Sequence, residues 1–254
     1  MIDLTGYRVV VTGGSRGIGA ACCRLFARAG ATVLVQYLAS GVKANALLTE
    51  LRRIGGMADL PHRKMRCDVT RREHVQRLFH YVETEWGGLD CLVNNAGVWV
   101  HEPLEKLDHQ QLQATLAVNV IGPFLCAREA IRLLRDSPNG SIINISSTAG
   151  QRGEAFYSPY AASKGAMISA TKSCSTELAP GIRVNAVAPG WVDTDMTAEA
   201  LSGKCRDKIL DTIPLHRVAT PAEIAGPVVF LASPLARHIT GEILNVNGGS
   251  VLVG

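Results

Sequence analysis

The chain has 254 residues, of which 47% are hydrophobic and 19% are charged, and its formal net charge is +4. This composition supplies enough apolar material for a packed α/β domain and excludes a disordered chain. Basic residues occur only in short runs without a nucleic-acid-binding motif, so we expect no nucleic-acid partner.

Short apolar runs alternate with longer helical stretches along the chain. Strands are predicted at residues 8–11, 32–36, 64–67, 91–93, 141–145, 182–188 and 243–246. Helices are predicted at residues 18–29 and 42–54, from Thr70 to Trp86, from Asp108 onward, from Ser158 onward, and from Thr220 to Ala232. Two of these helices are expected to begin with capping boxes, Thr70 with Glu73 and Thr220 with Glu223.

This alternation is typical of an α/β fold with a doubly wound parallel sheet of the Rossmann type. The strands are continuous apolar runs, as expected for strands that are buried on both faces. No linker or change in composition divides the chain, so we predict one domain over residues 1–254, with a seven-stranded sheet and helices on both faces. The more polar segment 191–215 is predicted to be a substrate lid.

Cysteines, histidines and the N-terminus indicate the compartment and the absence of a metal. The seven cysteines include no C-x-x-C pair, and the seven histidines include no H-E-x-x-H motif. These patterns fit reduced thiols and predict no metal site. Because the chain shows no signal peptide and no apolar run approaching about 18 residues, we expect a cytoplasmic protein without a membrane partner.

A glycine-rich turn, T-G-G-S-R-G-I-G at residues 12–19, follows the first strand and opens the first helix. Glycines permit a tight turn and let the backbone approach a pyrophosphate, which the helix N-terminus also attracts. The spacing G-x-x-x-G-x-G is weak evidence alone, but its place between a strand and a helix strengthens it. We therefore predict a dinucleotide site.

The end of the second strand indicates which dinucleotide is bound. NAD sites usually carry an acidic residue there, whereas residues 35–40 of this chain read V-Q-Y-L-A-S. Arg16 lies within the glycine turn, where a guanidinium can bind a 2′-phosphate. Both features favour NADP(H) over NAD(H).

Further motifs follow in a fixed order: D-V at 68–69, N-N-A-G at 94–97, Asn119, S-S at 146–147, Y-A-A-S-K at 160–164, P-G at 189–190 and N-G-G at 247–249. Over essentially the whole chain, this set resembles the short-chain dehydrogenase/reductase family. The resemblance implies hydride transfer between a nicotinamide cofactor and an alcohol/carbonyl pair. With the glycine turn, it assigns these residues to the cofactor site: Gly13, Ser15, Arg16, Gly17, Ile18, Gly19, Tyr37, Ser40, Asp68, Val69, Asn95, Ala96, Gly97, Tyr160, Lys164, Pro189, Gly190, Val192 and Thr194.

Tyr160 and Lys164 are four residues apart on a predicted helix and share one face. A lysine ammonium lowers the pKa of a nearby tyrosine, so the pair can serve as general acid or base. Ser147, 13 residues before Tyr160 as in the family, is expected to bind the substrate oxygen. Ser146 is expected to support the backbone, and Tyr157, which lacks a lysine partner, to pack or to line the substrate pocket.

Asn119 is a polar residue within an apolar helical stretch. A buried amide needs partners, and for this residue alone a structural hydrogen bond is the simpler interpretation. The resemblance implies a catalytic role instead, in which Asn119 anchors a water that relays protons to Lys164.

The substrate is less defined than the chemistry. Residues 187–196 and 239–242 are similar to 3-oxoacyl-[acyl-carrier-protein] reductases, but 137–140 and 177–181 lack the basic residues with which those enzymes dock their carrier. We therefore expect a small free substrate, namely a ketone, hydroxy-carbonyl compound, sugar or polyol, and keep the carrier-protein substrate as the alternative. The candidate pocket-rim residues, each equally plausible as a solvated loop residue, are His101, Glu102, Gln151, Arg152, Glu154 and Trp191.

Two further expectations rest on the resemblance alone. Some relatives are non-catalytic regulators that have lost the tyrosine or the lysine, and the intact catalytic set Asn119, Ser147, Tyr160 and Lys164 argues against that remote alternative. Family members usually form homotetramers, or else homodimers, through the helices around Asn119 and Tyr160 and the C-terminal strand. Residues 251–253 are apolar and fit such an interface or a simple extension of the last strand equally well.

Overall fold

The computed structural model describes residues 2–54 and 61–252, and within these ranges it contains a parallel sheet of seven strands. The strands are β1 Arg8–Val11, β2 Thr32–Tyr37, β3 Arg63–Arg66, β4 Cys91–Asn94, β5 Ser141–Ile145, β6 Arg183–Pro189 and β7 Ile243–Val246. Their order across the sheet is β3-β2-β1-β4-β5-β6-β7. The order changes direction between β1 and β4, and ligands of such sheets bind beyond the carboxyl ends of the strands at that point. The predicted fold class is confirmed.

Helices cover both faces of the sheet. They are α1 Gly17–Arg28, α2 Gly41–Ile54, α3 Arg72–Trp86, α4 His109–Leu116, α5 Gly122–Arg135, α6 Thr148–Arg152, α7 Ser158–Leu178, α8 Gly203–Asp211 and α9 Pro221–Ala232. A π-helical turn, Ala117–Ile121, joins α4 to α5 without a break in the helix.

The central strands divide their side chains between two apolar cores. Val9 and Val11 of β1 belong to the core that contains Phe26 of α1, and Val10 belongs to the core that contains Phe79 of α3. All three valines are fully buried. Coverage on both faces explains why these strands are continuous apolar runs.

The start of α3 differs from its prediction. The Thr70 hydroxyl donates to the Asp68 carboxylate at 2.7 Å, and the helix begins at Arg72. The carboxylate of Asp68 thus forms a local turn that competes with helix capping by Thr70, so the predicted box with Glu73 was wrong. β3 and β6 also lie one residue away from their predicted bounds.

Two other predicted helix starts are confirmed. The Asp108 carboxylate caps α4 by accepting from the Gln110 N–H at 3.0 Å. At α9, the Glu223 carboxylate accepts from the Thr220 N–H at 2.8 Å. In both places the sequence pattern and the local hydrogen bonds agree.

Three segments bear on the remaining expectations. The predicted lid, 191–215, contains α8. The continuous helix His109–Arg135 is long and apolar enough to cross a membrane by length and composition alone, although core helices of soluble proteins pass the same test. Of the apolar C-terminal residues assigned to an interface, 253 lies outside the described residues.

Candidate active site

The glycine turn forms one wall of a cleft of about 430 Å³ at the carboxyl ends of the strands. Gly13 and Gly17 have φ values of 61° and 52°, and a Cβ on Gly13 would lie 2.9 Å from the Cα of Ala96. The first turn of α1 carries no acidic residue. The glycines keep the backbone of this turn free of side chains at the N-terminus of α1. A dinucleotide pyrophosphate can therefore approach the backbone closely.

Nearly all residues that were assigned to the cofactor line this one cleft. They are Gly13, Ser15, Arg16, Gly17, Ile18, Tyr37, Ser40, Asp68, Val69, Asn95, Ala96, Gly97, Tyr160, Lys164, Pro189, Gly190, Val192 and Thr194. Gly19 is the exception. A Cβ on Gly19 would lie 2.4 Å from the Gly13 carbonyl oxygen and 2.5 Å from Asn95 Nδ2, so this glycine allows close packing behind the turn.

Gln36 at the end of β2 is a structural residue that the sequence analysis missed. It is buried, its Oε1 accepts from the Gly13 N–H at 2.7 Å, and its Nε2 donates to the Cys67 carbonyl. The glutamine therefore ties the glycine turn to β2 and to the segment after β3. A polar side chain within a buried strand was the signal in the sequence.

The loop after β4 is held against the glycine turn by side-chain hydrogen bonds. The Thr12 hydroxyl accepts from the N–H groups of Asn95 and Ala96 at 2.9 and 3.0 Å. Asn95 Nδ2 donates to the Thr12 carbonyl at 2.8 Å. These bonds fix the two sides of the cleft relative to each other without a ligand.

Tyr160 and Lys164 lie one turn apart on α7, as predicted, and Ser147 caps α6 beside them. The Ser147 hydroxyl accepts from the Ala149 N–H at 3.1 Å. Ser146, which was expected to support the backbone at the end of β5, donates to the Lys164 carbonyl at 2.9 Å and so supports the backbone of α7. Lys164 Nζ donates to the Ile145 carbonyl at 2.8 Å and lies 5.8 Å from the centre of the Tyr160 ring.

Burial controls the protonation of this pair. Desolvation raises the pKa of Tyr160 to about 12, although a hydrogen bond with Ser147 acts in the opposite direction. Desolvation also lowers the pKa of Lys164 to about 8. The expectation that the lysine lowers the tyrosine pKa is therefore not met by the protein alone. Without the positive charge of an oxidised nicotinamide, Tyr160 is held protonated, ready to act as an acid.

Asn119 is buried within the π-helical turn and uses its amide to hold neighbouring segments. Its Oδ1 accepts from the Val98 N–H at 2.8 Å, and its Nδ2 donates to the Val98 carbonyl at 2.9 Å. The same Nδ2 donates to the Ser163 hydroxyl at 3.0 Å. Such structural hydrogen bonds are the simpler interpretation that the sequence allowed for Asn119. They join the loop after β4 to α7. The water-relay role remains a prediction.

Aromatic side chains from three loops stand beside the catalytic residues, and we call Trp99, Tyr157 and Trp191 the aromatic wall. Trp99 stacks on Tyr157 with ring centres 4.4 Å apart and planes inclined by 5°. Trp191 meets Trp99 edge-on at 5.9 Å. Tyr157 precedes α7 directly, so the wall adjoins the turn that carries Tyr160. Aromatic packing is the role the structure gives to Tyr157.

The other predicted rim residues take different positions. Glu154 accepts from Trp99 Nε1 at 3.3 Å, and burial raises the pKa of its carboxyl group. Gln151 donates to Asn245 at 2.6 Å. Glu102 is buried and accepts from the Asp108 N–H at 2.8 Å, so its assignment to the rim was wrong. His101 and Arg152 are exposed, and their assignment to the rim stays a prediction.

No group of three or more His, Cys, Asp or Glu side chains capable of holding a metal occurs among the residues that the structure describes. The expectation of no metal stays a prediction. The cleft places the side chains of Ser147, Tyr160 and Lys164 next to a backbone cradle that fits a dinucleotide.

Comparisons with known proteins agree with this site. A family model described as enoyl-(acyl carrier protein) reductase matches residues 13–250. The 3-oxoacyl-[acyl-carrier-protein] reductase of Synechocystis sp. is 39% identical over 254 residues, which is 99% of this chain and 100% of that protein. The corresponding FabG protein of Staphylococcus aureus strain Mu50 is 38% identical over 94% of this chain and 96% of its own length.

Solved structures give the same result. A short-chain dehydrogenase/reductase of Brucella melitensis, described as a glucose/ribitol dehydrogenase, superposes with a TM-score of 0.92 at 32% identity over 99% of both chains. A blue fluorescent protein from a metagenomic library, in complex with NADPH, has a TM-score of 0.90 at 35% identity over 98% of this chain and 100% of its own. This chain belongs to the short-chain dehydrogenase/reductase family and is an NAD(P)-dependent oxidoreductase that acts on CH–OH groups.

Proposed function

We propose that the protein is an NADPH-dependent reductase of 3-oxoacyl thioesters, the activity kept above as the alternative. The observation that carries this proposal is the full-length similarity to 3-oxoacyl-[acyl-carrier-protein] reductases, at 37 to 39% identity for relatives from three genera. The preference for a small free substrate has less support, because the glucose/ribitol dehydrogenase structure, whose name is of that kind, is less similar in sequence, at 32% identity.

The preference for NADP(H) is supported by the charge around the adenosine end of the cleft. Arg16 lines the cleft together with Tyr37 and Ser40, and none of the described cleft-lining residues that follow β2 directly is acidic. A similar structure is known in complex with NADPH. A guanidinium attracts a 2′-phosphate, whereas the carboxylate usual in NAD sites would repel it.

A nicotinamide dinucleotide held by the glycine turn and Arg16 would supply a hydride for the 3-oxo carbon. Tyr160 donates its hydroxyl proton to the carbonyl oxygen, and the raised pKa of this group keeps the proton available at neutral pH. The Ser147 hydroxyl donates a hydrogen bond to the same oxygen as negative charge develops on it. We assign two roles to Lys164: it binds the nicotinamide ribose, and it returns a proton to Tyr160 after the reaction. Asn119 is assigned to positioning α7 through its hydrogen bond to Ser163.

One assay tests the substrate and the cofactor together. Consumption of reduced nicotinamide is followed by absorbance with NADPH and NADH separately, against a 3-oxoacyl group on carrier protein, the same group on coenzyme A, a diketone, and sugars or polyols in the oxidative direction. Rapid turnover of either thioester with NADPH supports the proposal. Turnover confined to diketones or sugars would refute it.

A small free ketone is the second candidate function, and a specific observation favours it. Residues 137–140 and 177–181 carry no basic side chain with which an acidic carrier protein could dock. The aromatic wall with Glu154 offers apolar faces and one carboxylate to a compact substrate instead. Equal rates with the carrier-bound and the coenzyme A thioester would show that carrier docking contributes little.

We propose that the protein acts in the cytoplasm as a homotetramer. All seven cysteines are free, which suits a reducing compartment. Ile121 and Phe124, on the helical segment around Asn119, are about half exposed at 51% and 49%. Apolar side chains exposed on one helical segment favour association of copies. Sedimentation of the purified protein tests this: a monomer at micromolar concentration would exclude it.

A further inference from the structure

Two cations and one carboxylate meet at the adenosine end of the cleft. Arg16 comes from the glycine turn, Lys43 from the first turn of α2, and Asp195 from the loop after β6. Asp195 Oδ2 accepts a hydrogen bond from Lys43 Nζ and lies 3.8 Å from Arg16 Nη1. Both basic side chains therefore converge on the same oxygen atom, although Lys43 and Asp195 are 152 residues apart in the chain.

The charges at this point leave a positive excess that would attract an anion. α2 carries no acidic residue in its first turn, so its N-terminal end adds positive potential. The hydrogen bond from Lys43 lowers the pKa of Asp195, and Arg16 adds to this, so the carboxylate is ionised at neutral pH. Two full positive charges with one negative charge leave an excess of one positive charge.

The other basic residues near β2 are directed elsewhere. Lys64 lies over the Tyr37 ring, 5.2 Å from its centre. Arg66 Nε donates to the Leu38 carbonyl at 3.1 Å. Neither makes a described contact with Asp195, which leaves Lys43 as the partner of Arg16 among the basic residues described in this region.

We propose that Lys43 and Arg16 together form the 2′-phosphate site, and that Asp195 is a built-in competitor that occupies this site until NADP(H) displaces it. The inference rests on the proposed NADP(H) preference and deepens it. A phosphate monoester carries about −1.5 to −2 charges at neutral pH, more than a carboxylate, and so can replace Asp195 between the two cations. NAD(H) has no anion at this position and leaves the Asp195 contacts in place. The three residues then set how strongly the enzyme distinguishes the two dinucleotides.

The test is the dissociation constant of NADPH and of NADH, measured by fluorescence titration of the complete protein at about 0.05 M salt, where surface charges are weakly screened. Asp195→Asn is expected to tighten NADPH about threefold and to leave NADH unchanged. Lys43→Gln is expected to weaken NADPH about fivefold with little effect on NADH. These factors are the size expected for exposed charge pairs, and both should shrink at about 0.5 M salt.

Matched controls separate a local charge effect from a general one. Asp193→Asn makes the same change in the same loop, and Arg53→Gln removes a cation from the far end of α2. Neither variant should alter either dissociation constant. Adenosine 2′,5′-bisphosphate and 5′-AMP, as probes without a nicotinamide, should reproduce the effects on NADPH and NADH.

The outcomes distinguish this inference from the proposed function. If Asp195→Asn weakens NADPH, or shifts both dinucleotides equally, then Asp195 is not a competitor. If Lys43→Gln leaves NADPH binding unchanged, Lys43 is not part of the site. If the unaltered protein binds NADH as tightly as NADPH, the cofactor preference itself fails. None of these results depends on which carbonyl compound the enzyme reduces.

Discussion

The cofactor cleft and the aromatic wall lie side by side but are built in different ways. The cleft is formed by backbone and by side chains that hydrogen-bond to backbone, such as Gln36 to Gly13 and Thr12 to Asn95. The wall is formed by side chains that contact one another, with Trp99 stacked on Tyr157. Substitutions of the residues that hold the glycine turn should therefore affect folding and all substrates alike, whereas substitutions in the wall should alter mainly the choice of substrate.

The largest expected effect is on kcat and comes from Tyr160, which lies between the cleft and the aromatic wall. Tyr160→Phe removes the proton donor, so kcat should fall about a thousandfold, within the range for loss of a general acid. The dissociation constant of NADPH should stay within about twofold, since the cradle is backbone. Steady-state assays and fluorescence titration measure the two quantities. Tyr7→Phe, which removes the same atom at the start of β1, is the control and should remain fully active.

The next effect tests the rigidity of the cleft. Gly19→Ala places a Cβ 2.4 Å from the Gly13 carbonyl oxygen, so the turn must shift and the free energy of unfolding should fall by about 3 kcal/mol. Gly226→Ala is the control, because a Cβ there has no neighbour within 4 Å. Urea denaturation compares the two. Equal stability would show that the turn is not closely packed.

A smaller effect concerns the buried lysine. Its folded-state pKa of about 8 lies below the usual value of 10.5, so the unfolded chain binds more protons in between, and this residue's contribution to stability rises with pH. The stability of the unaltered protein relative to Lys164→Met should therefore increase by about 1 kcal/mol from about pH 7 to about pH 9. Chemical denaturation at both pH values measures this difference. Parallel pH curves would mean that Lys164 is not desolvated.

The smallest effect belongs to the aromatic wall. Trp99→Ala removes the ring that stacks on Tyr157, and loss of such an aromatic contact should lower the free energy of unfolding by about 1 kcal/mol. Because the proposed substrate binds beside the wall, its KM should also rise. NADPH binding should not change. Assays with short and long 3-oxoacyl thioesters check this, and Trp99→Phe should retain part of the contact. An equal loss of NADPH affinity would show that the wall and the cleft are coupled.

The sequence was sufficient for features that depend on local pattern or on a recognisable motif. Short strand-like runs between helices predicted all seven strands, and the signal is continuous in the central strands, which are buried on both faces. The lysine and tyrosine of α7 were placed together by their spacing of four residues. Even so, spacing did not reveal that burial dominates their pKa values, since desolvation depends on what surrounds a group in three dimensions.

Features that depend on distant contacts were not predicted. Gly19 was assigned to the cofactor because it belongs to the motif, but its neighbours across the turn give it a packing role. Glu102 was placed on the rim as a charged loop residue. In the structure it is buried, and its carboxylate accepts a hydrogen bond from the Asp108 N–H. The contact of Asp195 with Lys43 joins segments that nothing in the sequence relates.

The composition of the aromatic wall has an optical consequence. The chain has three tryptophans, and two of them, Trp99 and Trp191, lie in the wall, while Trp86 is buried in the core beneath the sheet. Indole emission responds to polarity and to nearby quenchers, so a ligand that binds against the wall should change the emission of two of the three tryptophans. Intrinsic fluorescence is therefore expected to report binding of the proposed substrate without a label and without turnover.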